Sequence, residues 1–246
     1  MSGRLRILRD GSGAGDWNME RDTALLHAHQ PGDDPILRIY QWNPPCLTLG
    51  YNQREEAFAA ADVTAAGYDL VRRPTGGRAI LHAHELTYAV IGTSPGPLFG
   101  SSLHDAYMTI NRALLRFLSG LGIDADVSSG ESREAARSPV CFRSAGRHEI
   151  RVRGRNLVGS AQRRLRGVFL QHGSILAGPE HRRLVDYLDL DPTARAQQGE
   201  ELQAGTTDLQ EQLGRTLEPA DLERLGDELA QAFAAALDLE PTSETI

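Results

Sequence analysis

Lysine is absent from all 246 residues, and the 26 basic side chains are all arginine. A Schiff-base lysine, a phosphate-loop lysine and a lysine nucleophile are therefore excluded, and several enzyme classes go with them. Cysteine is nearly as scarce, with Cys46 and Cys141 alone. Two thiols build neither a disulfide framework nor a four-cysteine zinc site, so each is expected to be a free thiol in a reducing compartment. No grouping of His, Cys, Asp and Glu has metal-ligand spacing, and no metal is expected. No apolar run approaches the roughly 20 residues needed to span a bilayer, and the start, MSGRLRILRD, lacks an apolar signal core. The expected setting is cytoplasmic, away from membranes. Acidic residues outnumber basic ones, 33 to 26, and the net charge of −7 argues against a general affinity for nucleic acid.

What is present suffices for one core. With 40% hydrophobic residues and no evident boundary, residues 1–246 are read as a single domain. Strand-like and helix-like patterns interleave, which predicts an α+β (α/β mixed) fold with helices packed outside a mixed sheet. A helix is expected over 17–29, capped by Asp16, with Met19, Ala24, Leu25 and Ala28 on its buried face. Another is expected over 103–122, its buried stripe starting at Leu103. Residues 148–178 read as three consecutive antiparallel strands with glycines at the turns. The chain from about 178 onward reads as helical, interrupted by a polar connection over 191–205. His27, His29, His104 and His181 are expected on helix surfaces.

Chemistry concentrates in RRPTGGRAILHAHELTYAV, residues 72–90. Gly76 and Gly77 sit between two strand-like runs, where the backbone can turn sharply or approach a bound group. Arg72, Arg73 and Arg78 surround that turn, and three guanidinium groups repel one another unless an anion or carboxylates join them. A phosphate-bearing or acyl-bearing ligand across the turn satisfies both features.

This run resembles the signature of the lipoate-protein ligase and octanoyltransferase family. NMERD (18–22), PPCLTLGYNQ (44–53), GRNLVGSAQRR (154–164) and LQHGSIL (170–176) follow in the family's order, so the likeness spans about residues 16–212. The resemblance implies the biotin/lipoyl protein ligase catalytic-domain fold, a mixed and largely antiparallel sheet with flanking helices and an acyl tunnel beside the Gly-Gly loop. It implies substrate-binding roles for Arg72, Arg73, Thr75, Gly76, Gly77, Arg78, His82, Gly159, Ser160, Ala161 and His172. A hydrogen-bonded structural role for His82 and His172 stays open.

SPVCFRSAGRHEI (138–150) resembles the cysteine loop of the Gram-positive type of octanoyltransferase. That likeness implies transfer of octanoyl from octanoyl-acyl carrier protein, through a thioester on Cys141, to a lysine of a lipoyl domain. Acceptors in the family are glycine cleavage H protein and the E2 of 2-oxoacid dehydrogenases, and no cofactor is implied. Arg143, Arg147 and His148 lie near enough in sequence to lower the Cys141 pKa. Burying an eight-carbon chain contributes on the order of 5 kcal/mol. Where the family carries a lysine that contacts the acyl carbonyl, this chain has Asn156, which weakens that contact unless Arg155 or Arg163 replaces it. The alternatives are an ATP-dependent lipoate or octanoate ligase, which needs ATP and Mg, and a non-catalytic acyl-binding relative.

Overall fold

A computed structural model describes residues 3–128 and 148–244; Cys141, Arg143 and Arg147 lie outside them. Strand β1 (Arg4–Gly13) leads into helix α1 (Gly15–Ala28), strands β2 (Ile36–Trp42) and β3 (Cys46–Leu49), and helix α2 (Ala60–Ala65). Strands β4 (Asp69–Arg72), β5 (Ile80–His82) and β6 (Glu85–Thr93) precede helix α3 (Leu103–Gly120). Next come β7 (Asp126–Val127), β8 (Ile150–Val152), β9 (Arg155–Leu165) and β10 (Val168–Leu176), then α4 (Pro192–Gly205), α5 (Leu209–Leu213), α6 (Pro219–Leu237) and β11 (Glu240–Glu244).

Eight strands form one sheet in the order β11-β1-β2-β6-β10-β9-β8-β7, and a small second sheet has the order β4-β3-β5. β1 runs parallel to β2 and β11, while every pairing from β2 outward to β7 is antiparallel. The two-residue alternation of a strand divides the core. In β6, Leu86, Tyr88 and Val90 join the apolar cluster of α3 and α6, which includes Leu114, Phe117, Leu229 and Phe233. Ala89 and Ile91 point the other way and pack with Tyr40, Trp42 and Leu26. One face thus carries α3 and α6 and the other carries α1, while the second sheet gives Cys46 and Val71 to the α1 cluster and Leu47, Leu49, Ile80 and Leu81 to the larger one. Among the described residues, no helix is long and apolar enough to cross a membrane.

Local chemistry explains several helix boundaries and corrects others. Ser102 and Asp105 form a reciprocal capping box at the start of α3. Leu103, the first residue after that cap, is exposed and does not belong to the buried stripe. α1 starts one residue before the expected Asp16 cap, after Ala14, and Asp16 lies inside the first turn. Its buried positions are Gly15, Asn18, Met19, Asp22 and Leu26, whereas Ala24 and Ala28 face solvent. The polar stretch expected to be a connection is helix α4, launched by Asp191, whose side chain accepts from the Thr193 and Ala194 N–H groups, with Pro192 at the first helical position. Leu202 alone is buried there, so no apolar period announces the helix. Residues Pro179–Tyr187 adopt a 3-10 rather than an α-helix.

Two histidines expected at the surface are buried, His29 and His181. The His181 ring nitrogens lie 3.0 Å from the Gly178 carbonyl and 2.9 Å from the Thr206 hydroxyl, and burial pushes its pKa down to about 4. The folded chain therefore favours neutral His181, while the unfolded chain takes up a proton near pH 6.5. Stability from this site is complete above about pH 6.5 and declines as pH falls toward 4, by about 3 kcal/mol in all. His181→Gln is expected to flatten that decline in urea midpoints measured from pH 7 to pH 4. An unchanged slope would locate the acid sensitivity elsewhere.

Candidate active site

On the α1 face, a cavity of about 170 Å³ opens between α1, β2, the Gly-Gly loop, β9 and β10. Met19, Tyr40, Trp42 and Ile80 give it an apolar wall. Arg73, Arg78, His82, Glu149, Ser160 and His172 supply polar groups. Close backbone approach is built in at β10: a Cβ on Gly173 would stand 2.6 Å from the Gly159 carbonyl and 2.8 Å from Ser160 Oγ.

Two histidine networks of the same design hold the cavity wall. In the first, His172 Nδ1 lies 2.8 Å from Asp22 Oδ2, and its Nε2 lies 2.7 Å from the Thr75 hydroxyl on the Gly-Gly loop. Burial pushes the His172 pKa down, so the neutral ring donates from Nδ1 to Asp22 and accepts from Thr75 at Nε2. Burial alone would raise the Asp22 carboxyl, but the hydrogen bond from His172 and the Arg38 charge outweigh it and hold its pKa below the usual value. Arg38 is fully buried, donates to Asp22 at 2.7 Å and to Asp10 at 2.6 Å, and lies over the Tyr40 ring at 3.8 Å. The Tyr40 hydroxyl completes the cluster by donating to Asp22 at 3.0 Å.

In the second network, His82 Nδ1 is 2.8 Å from Glu85 Oε1 and Nε2 is 2.8 Å from Thr48 Oγ1. Thr87 and Ser174 donate to the same Glu85 oxygen at 2.5 and 2.8 Å. Burial would raise Glu85, yet the charge and hydrogen bond of His82, with the two hydroxyls, depress its pKa overall. Trp42 stacks on His82 with ring centroids 4.2 Å apart and donates from its indole N–H to Thr87 at 2.8 Å.

Arg73 ties this network to the loop. It is buried, and its guanidinium donates to the Gly76 carbonyl at 2.9 Å, the Arg78 carbonyl at 2.7 Å and the Thr48 hydroxyl at 3.2 Å. Arg72 likewise donates to the carbonyls of Gly50 and Gln53 at 2.9 and 2.7 Å. The expected mutual repulsion of three exposed guanidiniums is therefore corrected: backbone oxygens separate two of them and leave their charge in place. Gly77 has φ +94°, and a Cβ there would meet Arg73 Nη2 at 2.7 Å. At Gly50 a Cβ would meet the Gly77 carbonyl at 1.9 Å, so only glycine lets β3 pass under the loop.

The description of the lipoyl protein ligase A/B catalytic domain matches residues 15–234. The chain belongs to that family. Octanoyltransferase LipM of Kyrpidia tusciae is 41% identical, with 96% of this chain and 89% of that protein covered. Octanoyltransferase LipM of Bacillus subtilis is 39% identical over 78% of this chain and 72% of its own length. Among solved structures, a bipartite lipoate protein ligase from Thermoplasma acidophilum superposes with a TM-score of 0.78 at 22% identity, over 100% of this chain and 88% of that one. Lipoate-protein ligase A bound with ATP gives 0.77 at 24%, over 100% and 90%. At these identities the two structures speak for the fold alone.

In this member of the lipoyl protein ligase family, Arg73, Gly77, Arg78, His82, Gly159, Ser160, Ala161 and His172 all line the cavity. Thr75 stands behind His172, Gly76 has open space beside its Cα, and Arg72 braces the loop from outside. Asn156 is buried on β9 opposite Arg151, its carbonyl accepting from the Thr207 N–H at 3.0 Å, and it does not line the cavity. Neither arginine weighed as its substitute lines it either. Arg155 is paired with Glu211 and donates to Thr207, and Arg163 donates to the Pro74 carbonyl at 3.2 Å. Asp22, Arg38, Glu85 and Trp42 were not singled out in the sequence, although NMERD carries Asp22 and HELTY carries Glu85. Cys46 is buried with its thiol pKa raised, chiefly by burial, as a structural cysteine should be.

Proposed function

We propose that this chain moves octanoyl from octanoyl-acyl carrier protein to a lysine of a lipoyl-domain protein, through a thioester on Cys141. The observation that carries the reading is the 41% identity to an octanoyltransferase over 96% of the chain. A cavity with an apolar wall beside a glycine-rich loop suits an unbranched acyl chain, because burial of methylenes supplies affinity without polar anchors. Thioester exchange runs at little net free energy, and aminolysis to an amide then runs downhill, so no nucleotide is required. Chain connectivity favours Cys141. His148 N–H donates to the Ser128 carbonyl at 3.3 Å and Ser128 N–H to the Glu149 carbonyl at 2.8 Å, which sets the described residues that flank Cys141 in sequence beside one another, with Glu149 on the cavity wall. Cys141 is eight residues from the cavity-lining Glu149, a reach of at most about 28 Å.

Glycine cleavage H protein and the E2 lipoyl domains are the proposed acceptors, and ATP and Mg have no part. Intact-mass measurement tests this after incubation with octanoyl-acyl carrier protein, and separately with octanoate, ATP and Mg. One octanoyl group gained from the carrier alone, labile to hydroxylamine, is expected. A gain only with ATP would establish the ligase reading, and binding of octanoate without transfer would establish an acyl-binding relative.

A further inference from the structure

Charge is distributed unevenly around the cavity mouth. The chain has 33 acidic residues against 26 basic ones, and arginines elsewhere meet carboxylates, as Arg155 meets Glu211, Arg182 meets Asp208 and Arg215 meets Asp221. Beside the Gly-Gly loop that pairing stops. Among the described residues, the partners of Arg72 and Arg163 are backbone carbonyls and one aromatic ring, with no carboxylate.

Arg163 is placed by β9 and the loop together. It follows the cavity-lining Ala161 by two residues, so the period of the strand puts both side chains on one face. Its Nη1 donates to the Pro74 carbonyl at 3.2 Å, and its guanidinium lies over the Tyr51 ring, 5.4 Å from the centroid. Tyr51 is 56% exposed, and its N–H donates to the Thr75 carbonyl at 2.9 Å. Arg72 reaches the same corner from β4, its Nη1 donating to the carbonyls of Gly50, Tyr51 and Gln53 at 2.9, 3.4 and 2.7 Å. Among the described residues a single nitrogen of each arginine thus makes its hydrogen bonds to the protein, which leaves Nε and Nη2 of both for a ligand. Gly77, the exposed next turn of the loop, lines the cavity, so this corner adjoins the mouth.

The donor of the proposed reaction presents its acyl group on a phosphopantetheine arm, with the thioester at one end and a phosphodiester at the other. With octanoyl in the cavity, the phosphodiester stays outside, at the rim. The parallel N–H groups on Nε and Nη2 of a guanidinium match two oxygens of one phosphate, and a guanidinium already held in place loses less freedom on binding. We infer that Arg163, oriented by Tyr51 and Pro74, and Arg72 beside it bind the phosphodiester of the carrier's phosphopantetheine arm. The identity of that ligand rests on the octanoyltransferase reading.

Two measurements test the site. In the first, phosphopantetheine and pantetheine, which carry no acyl group and differ by the phosphate, are titrated calorimetrically against the full chain. The parent should bind the phosphorylated compound about tenfold more tightly at low salt, and added salt should narrow the difference. Arg163→Gln should remove most of the preference, whereas Arg163→Lys, which keeps the charge, should retain part of it. Equal binding of the two compounds by the parent would overturn the assignment, as would an unchanged preference in Arg163→Gln. The second measurement is acylation by octanoyl-phosphopantetheine, octanoyl-pantetheine and octanoyl-acyl carrier protein, read by intact mass. Arg163→Gln should cut the advantage of octanoyl-phosphopantetheine over octanoyl-pantetheine about tenfold. A loss confined to the carrier protein would mean that Arg163 reads the carrier's own side chains, and an equal loss with all three donors would make it a support of the Gly-Gly loop. Either result overturns the phosphodiester site. A parent that takes octanoyl from none of the donors would overturn the transferase reading, while the calorimetric preference for phosphate stands or falls by itself.

Discussion

Cys141→Ala is expected to abolish octanoyl transfer, with a loss of roughly four orders of magnitude or more, because the residue proposed to carry the acyl group is gone and the chain's other thiol, Cys46, is buried. Single-turnover transfer from octanoyl-acyl carrier protein to a lipoyl domain measures it. The control is Cys46→Ala. Cys46 is buried in β3, where a Cβ on Gly15 would lie 2.6 Å from its sulfur, so the thiol fills space between α1 and the second sheet. Removing it should leave transfer unchanged and cost about 1 kcal/mol of stability through a small cavity. Comparable transfer by Cys141→Ala and the parent would require direct passage of octanoyl from carrier to acceptor. A loss in Cys46→Ala larger than its stability change would reassign the thioester.

The parts of the site legible in the sequence are those whose chemistry is local. Gly76-Gly77 between two strand-like runs announced the loop, and the three strand-like segments over 148–178, with glycines at their turns, announced β8, β9 and β10. What the sequence concealed depends on residues brought together from a distance. Asp22 and Asn18 lie on the inward face of α1, so its buried stripe is half polar and the apolar period is blurred. Arg38 in the middle of ILRIYQW reads as a solvent-facing strand residue. It is inside because Asp10, Asn18 and Asp22, from β1 and α1, converge on it. The same holds for Arg73, whose partners, carbonyls of the loop and the Thr48 hydroxyl on β3, come together only in the folded chain. Helix α4 was hidden for a different reason: Leu202 is its one fully buried residue, so no apolar face runs along it, and only its Asp-Pro cap marks the start.

Arg38→Met is expected to destabilise the fold by about 3–5 kcal/mol, because it strands the buried Asp22 carboxylate and leaves Asp10 only the longer contact with Arg21 at 3.4 Å. The side chains of Asp10 and Asp22 are both almost wholly inaccessible, as is that of Arg38. A urea midpoint shift measures the loss, and Arg38→Met with Asp22→Asn should recover part of it, since the stranded charge is removed. Function should not recover in step. Asp22 is also the acceptor that fixes the His172 tautomer, and without an ionised carboxylate there His172 no longer holds Thr75 and the Gly-Gly loop in register. The double variant is therefore expected to be more stable than Arg38→Met yet still slow in octanoyl transfer. Acid should act on the parent in the same direction. The Asp22 pKa is depressed in the fold, so its contribution is present above the unfolded value of about 3.9 and is lost as pH falls through the lower folded value. The His172 pKa is also depressed, so stability from the neutral ring begins to fall earlier, as pH drops below about 6.5. Equal recovery of stability and transfer in the double variant would show that Arg38 and Asp22 serve the core alone, and that Thr75 keeps its place without His172.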